Sequence, residues 1–162
     1  MSQRVSSAGL ALLYCVETTA GTRPTSGYTE VPEVKSVPSF NTPPEQIEST
    51  TLKETVYRTY VQGLRDLSSA LEFGANMTDD LDTAWTALIS AAATAAESGK
   101  ATWFCVAHPK LTKATYFTGE PAPIGLNEAG VNAMYETTLY ITPTSAPERQ
   151  AKPTGWPTVN GD

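Results

Sequence analysis

Polar and apolar positions alternate most regularly over Leu67–Met77. Leu67, Ser69, Leu71, Phe73, Ala75 and Met77 fall on one side, and Ser68, Ala70, Glu72, Gly74 and Asn76 on the other. A period of two, with a mostly apolar face against a polar or small one, predicts a half-buried antiparallel strand. Val131–Thr142 alternates in the same way. Val131, Ala133, Tyr135, Leu139 and Ile141 stand opposite Asn132, Glu136, Thr138 and Thr142, and the longer Met134 and Tyr140 sit with the polar set. Between these segments the period changes. Leu81, Trp85, Leu88, Ile89 and Ala92 recur at helical spacing and predict one helix over Thr78–Ser98. Thr78 is placed to cap it, Asp79, Asp80 and Asp82 fill the first turn where the helix dipole favours anions, and Gly99 supplies the stop. Ala101–Ala107 is apolar throughout, which predicts a central strand covered on both faces. His108-Pro109 ends it, and Thr112–Gly119 follows closely enough to form a hairpin with it.

The remaining pattern is weaker. Gly9–Glu17 reads as a strand, and Thr18–Gly27 as a turn-rich connection. Pro32 and Pro38 limit any strand in Glu30–Phe40 to a short or edge position, because proline cannot donate to a ladder. Gln46–Thr51 reads as a short strand, Leu52–Leu64 as a long loop with no sustained period, and Pro121–Asn127 as a turn region. From Pro143 the chain is rich in Pro, Ser, Thr and Gly and reads as a tail. The expected fold class is α+β and β-rich: an antiparallel β-sandwich or partial barrel with one flanking helix (about 78–98) and a long loop (about 50–63). The expected organisation is an N-terminal segment over 1–27, a β domain over 28–145 and a Pro-rich tail over 146–162.

Composition excludes more than it identifies. The chain has 162 residues, 17% charged, with a net charge of −6, which argues against a nucleic-acid binder. An acidic wall is nevertheless suited to letting DNA slide past without sticking. Cys15 and Cys105 stand in apolar runs without metal spacing and read as buried free thiols. The apolar run Gly9–Val16 is too short and too interrupted for a secretory signal, and no stretch approaches the ~20 apolar residues of a membrane span. His108 is the one histidine and reads as a strand-terminating polar residue. Asp79, Asp80 and Asp82 lack the rest of a calcium loop, so capping accounts for them. No phosphate loop or nucleophile elbow is present. Glu72 and Glu136 could pair as glycosidase carboxylates, but each is also the polar member of an alternating strand. No enzyme activity, cofactor or metal is expected.

Several phrases, in their order, resemble the tail tube (major tail) proteins of long-tailed, siphovirus-like bacteriophages. They are Val34-Lys35-Ser36-Val37, Pro43-Pro44 with Ile47-Glu48, Ser49-Thr50-Thr51-Leu52, Tyr60-Val61-Gln62-Gly63-Leu64-Arg65-Asp66 and Leu71-Glu72-Phe73. The acid-capped helix, the aromatic strand at Trp103-Phe104 and the Thr-bearing strand Tyr135–Thr142 complete the order, and the likeness covers about Glu30 to Pro147. It implies a β-sandwich with one helix, joined edge to edge into six-membered rings that stack into a tube. Its partners would be further copies of itself and the tape measure, terminator and distal tail proteins. DNA would pass through the lumen without specific binding, and no membrane would be involved. The protein would belong to the virion tail, assembled in the cytoplasm of the bacterial host.

On that resemblance the loop Thr50, Thr51, Leu52, Lys53, Glu54, Thr55, Val56, Tyr57, Arg58, Thr59 and Tyr60 would reach a neighbouring subunit or ring. Glu72, Asn76, Glu136 and Thr138 would line the lumen. Related readings are a tail terminator or connector ring and a secretion-type tube protein. A β-sandwich binding module would instead show a preformed apolar pocket with convergent polar groups, and an enzyme would show a cleft uniting His108 with carboxylates.

Overall fold

The longest strands form wherever apolar side chains can be shared across a register. The computed structural model describes residues 4–53, 55–65 and 70–155. Its strands are β1 (Ala11–Val16), β2 (Thr29–Glu30), β3 (Val34–Ser36), β4 (Gln46–Glu48), β5 (Tyr60–Gln62), β6 (Leu71–Asn76), β7 (Thr102–Ala107), β8 (Lys113–Pro121), β9 (Glu136–Pro143) and β10 (Glu148–Ala151). The helix α1 spans Asp79–Glu97. The chain divides into two compact units, one formed by residues up to Pro38 and from Ala70 onward, the other by Ser39–Ser69.

In the larger unit eight strands make one curled antiparallel sheet in the order β2-β1-β7-β8-β9-β6-β3, with β10 also paired to β8. This is a β-rich α+β fold, a sandwich or partial barrel with one helix. The strand β7 is central, and its successive residues Phe104 and Cys105 are both fully buried, so both faces of the sheet are covered there. On one face Phe104 stacks on Phe117 with ring centroids 5.5 Å apart. On the other, Leu13, Cys105, Ala107, Ala114 and Tyr116 form a cluster flanked by Tyr28 and Trp103. The strand β6 buries Leu71, Phe73 and Ala75 and turns Glu72, Gly74 and Asn76 away, as the alternation predicts.

The helix begins where its sequence places the cap: the Leu81 N–H donates to the Thr78 hydroxyl at 3.2 Å. It lies against β1 and β8. Leu81, Trp85, Leu88 and Ala95 are its buried positions, whereas Ile89 and Ala92 are only half-buried. The Trp85 indole N–H donates to the Ala122 carbonyl at 2.8 Å, which satisfies the polar end of a buried aromatic. Gly99 follows the helix with φ +70, the left-handed turn that glycine adopts without a Cβ penalty.

Three sequence expectations need correction. The expected loop Leu52–Leu64 contains β5, because Tyr60–Gln62 pairs with β4 in the register Gln46↔Gln62, Ile47↔Val61 and Glu48↔Tyr60. The expected strand from Val131 starts only at Glu136; Asn132 takes φ +64, which breaks an extended backbone, and Val131–Tyr135 is exposed. The Pro-rich stretch after Pro143 is not all tail, since Glu148–Ala151 is a strand on β8.

Strand β10 is in effect the continuation of β9. Gly119 pairs with Pro143 and Tyr116 with Glu148, so Phe117 and Thr118 face the four residues Thr144–Pro147 in a bulge. Thr118 donates its N–H to the Ser145 hydroxyl at 2.9 Å and accepts the Thr144 N–H at 2.8 Å. Backbone pairing along a long neighbour, with hydroxyls spanning the bulge, orders a segment that has little apolar surface to bury. The expected strand residues Leu67 and Ser69 and the tail residues 156–162 lie outside the described chain.

Candidate functional site: an exposed arm and a polar sheet face

The smaller unit is a hairpin arm. Beyond the three residue pairs of β4 and β5 it is stitched by threonine and serine. The Ser49 N–H donates to the Thr59 carbonyl at 2.8 Å, and the Thr59 N–H donates to the Thr50 hydroxyl at 3.0 Å. At the base, Glu45 donates its N–H to the Leu64 carbonyl at 2.9 Å. A Thr-rich sequence suits such a ladder, because each hydroxyl can stand in for a missing backbone partner. No described residue of the arm is buried. Leu52 is fully exposed, Tyr57 is 82% exposed, and Val56 and Leu64 are nearly as open. Arg58 approaches Glu48 only at 3.9 Å, a loose exposed ion pair. Of the sequence-selected arm residues, Thr50–Lys53 and Thr55–Tyr60 are in this hairpin, and Glu54 lies outside the described residues.

The second surface is the outward face of β6 and β9. The register pairs Glu72 with Tyr140, Gly74 with Thr138 and Asn76 with Glu136. Glu72, Asn76, Glu136 and Thr138 therefore share one face, with partly exposed Tyr140 among them. Glu136 is ion-paired with Lys35 of β3, and Thr138 accepts a hydrogen bond from the Asn127 amide at 3.0 Å. Glu72 is thus the acidic group of this face without an ion-pair partner among the described residues, and Glu136 meets Lys35 of β3 across the intervening strand β6, which sequence alternation did not reveal.

The titratable groups of the interior are satisfied structurally. Glu17 is 5% exposed. Its carboxylate accepts from the Trp103 indole at 2.8 Å, the Gly21 N–H at 2.9 Å and the Ala101 N–H at 3.2 Å. Burial pushes the Glu17 carboxyl up, but these three donors outweigh it and leave it below its ordinary range. Sequence reading gave Glu17 no role, since two of its donors lie more than 80 residues away. His108 is buried: Nε2 meets the Ala8 carbonyl at 2.8 Å, and Nδ1 accepts the Lys110 N–H at 3.1 Å. Both cysteines are free, but Cys15 is only half-buried. Burial pushes the Cys105 thiol up to about 12, so it stays protonated at neutral pH. The Arg23 guanidinium lies 4.2 Å from the centroid of the Tyr116 ring.

A cleft of about 260 Å³ opens between Leu13, Gly27, Tyr28, Pro153, Thr154 and Gly155, and no charged side chain lines it. Among the described residues no group of three or more His, Cys, Asp or Glu side chains is placed to hold a metal, and no helix is long and apolar enough to cross a membrane.

The fold has a counterpart among solved structures. No protein-family model and no curated protein matches the chain. A chain in the cryo-electron microscopy structure of the anti-feeding prophage baseplate, six-fold symmetrised, superposes with a TM-score of 0.58. The two are 10% identical, and the match covers 93% of this chain and 98% of that one. At that identity the likeness is one of fold.

Proposed function

We propose that this protein is a structural subunit of a phage-tail-like particle. It assembles with copies of itself into stacked, six-membered rings that form a tail tube through which DNA leaves the virion. The observation that carries this reading is the arm: a hairpin with no buried described residue and several large apolar side chains in water, joined to a β body. An isolated two-stranded hairpin is marginal in water, and such a surface is suited to burial against another chain. The fold likeness to a chain of a six-fold baseplate supports the same reading. Tape measure, terminator and distal tail proteins would be its further partners. The Glu72–Glu136 face would line the lumen, where a weakly acidic wall discourages DNA from binding.

That baseplate likeness also favours a second reading, a ring subunit at one end of a tail. The two differ in stacking: a tube subunit adds ring upon ring, whereas a terminal ring stops at one.

Negative-stain imaging and light scattering of the concentrated protein test both. Stacked rings with an axial hole are expected. Single rings would select the terminal reading, and a strict monomer, even alongside other tail proteins, would overturn both. In the tube, Glu72→Lys with Glu136→Lys should leave assembly intact and slow DNA ejection; unchanged infectivity would end the lumen assignment.

A further inference from the structure

Large apolar side chains that are more than half exposed are not scattered over this molecule. Among the described residues all of them fall in two segments, Ile47–Leu64 on the arm and Leu126–Met134 in the loop between β8 and β9. That loop is held firmly at its ends. The Ala122 N–H donates to the Tyr140 carbonyl at 2.9 Å, Thr137 donates to the Gly125 carbonyl at 2.7 Å, and the Met77 N–H donates to the Tyr135 carbonyl at 2.9 Å. Both ends of the loop are therefore anchored while Leu126, Val131 and Met134 remain in solvent, with Val131 94% exposed. A surface that is ordered in advance loses less freedom when it is covered.

The two segments differ in charge. At the tip, residues 50–59 carry Lys53, Arg58 and Glu54, a net charge of +1, with Glu48 at the base of the same segment 3.9 Å from Arg58. The loop carries Glu128 as its one charged residue. Exposed Asp79 and Asp80 stand close by, because Tyr135 is hydrogen-bonded to Met77, two residues before the helix starts.

We propose that the arm tip of one copy seats on the Leu126–Tyr135 loop of another, packing Leu52, Val56 and Tyr57 onto Val131 and Met134. Lys53 and Arg58 then face Glu128 and the Asp79–Asp80 carboxylates. The inference rests on the self-assembly reading above and specifies its acceptor surface. Knob and socket are different parts of the same chain, so a head-to-tail contact between them leaves one of each free on the outer copies and can repeat, as a growing stack requires. Opposite charges at the rim also steer encounter, which makes assembly faster at low salt.

The test is a charge cycle on the exposed pair Lys53 and Glu128. Lys53→Glu and Glu128→Lys should each slow assembly at least tenfold at low salt, with unchanged circular dichroism and melting, and the double variant should recover most of the rate. A second measurement does not depend on charge. Val56→Cys with Val131→Cys, in a Cys15→Ser background, should give a ladder of disulfide-linked multimers on mild oxidation. If the wild type does not assemble, the self-assembly reading fails and takes this proposal with it. If the wild type assembles but the double variant stays as slow as the single ones, only the acceptor assignment fails. A cross-link confined to one chain would show that the arm folds onto its own body, and would overturn the intermolecular contact.

Discussion

The body and the arm of this protein are stabilised in different ways. In the body, Leu12, Phe73, Leu81, Trp85, Leu88, Phe104, Phe117 and Ile141 are all fully or almost fully buried, and both faces of the central strand are covered. In the arm no described residue is buried, and its contacts include one strand pair of three residue pairs, a backbone bond at its base and a few Thr and Ser hydrogen bonds. Burial supplies most of the free energy of folding, whereas a solvated hydrogen bond contributes little net. The body therefore holds its own shape, and the arm is the part whose apolar surface is still free for a partner. Where a sequence places Leu, Val and Tyr at largely exposed positions, the missing burial is the most informative property of the region.

Substitutions at graded positions should separate the two regions. The largest effect is expected for Trp85→Ala, which removes a fully buried side chain and the hydrogen bond to Ala122, at a cost of about 3–5 kcal/mol. Urea unfolding of the isolated subunit measures it, and a loss under 1 kcal/mol would show that the helix contributes little to the core.

Glu17→Gln comes next. An amide places an N–H group among three donors that need acceptors, for a loss of about 1–3 kcal/mol at neutral pH. The sign of its pH dependence follows from the lowered folded-state pKa. The carboxylate's contribution is complete above its unfolded value of about 4.3 and disappears as pH falls through the folded one. The gap between wild type and variant should thus be widest above about pH 5 and close in acid. A gap that widens on acidification would contradict the clamp.

Gly119→Ala should cost a comparable or smaller amount, about 1–3 kcal/mol. A Cβ there would lie 2.6 Å from the Ile141 Cγ2 and 3.0 Å from the Thr142 carbonyl, where β8 exchanges β10 for β9 as its neighbour. Normal melting of that variant would mean that the sheet can open at this crossing without penalty.

The smallest effect on the subunit is expected in the arm. Leu52→Ser with Val56→Ser should change unfolding by less than about 0.5 kcal/mol, the usual range for surface positions, and yet abolish assembly. Hydrogen exchange sharpens the comparison: the arm amides should exchange rapidly in the free subunit and become protected in the assembled state. Arm amides as slow as those of β7 in the free subunit would remove the distinction between the regions.

Local pattern carried a large share of this fold. The helix from its Thr78 cap to Gly99, the alternation of β6, the doubly covered β7 and its hairpin with β8 all follow from side chains within a few residues of each other. The same alternation put Glu72 with Asn76 and Glu136 with Thr138 on the polar sides of their own strands, and the β6–β9 register brings the two sides onto one face. Reading failed where an element depends on a distant one. Strand β10 exists because β8 is long enough to offer an edge beyond β9, and composition alone describes that stretch as tail. Strand β5 needed β4 to reveal it, and its own residues show no period. The Lys35–Glu136 pair joins residues 101 positions apart, and the Glu17 clamp draws donors from the start of β7.

Local pattern is enough for the fold class, the one helix with its caps, the core of the central hairpin and the existence of a Thr- and Tyr-rich segment before β6. Periodicity and capping are local, so they are written into neighbouring residues. Tertiary pairing alone makes this segment a hairpin arm with no buried described residue, leaves a second apolar loop exposed beside the acidic start of the helix, and sets Lys35 against one of the two acidic candidates on the sheet face. Exposure and charge pairing depend on which distant strands meet, and strand pairing is a property of the whole chain.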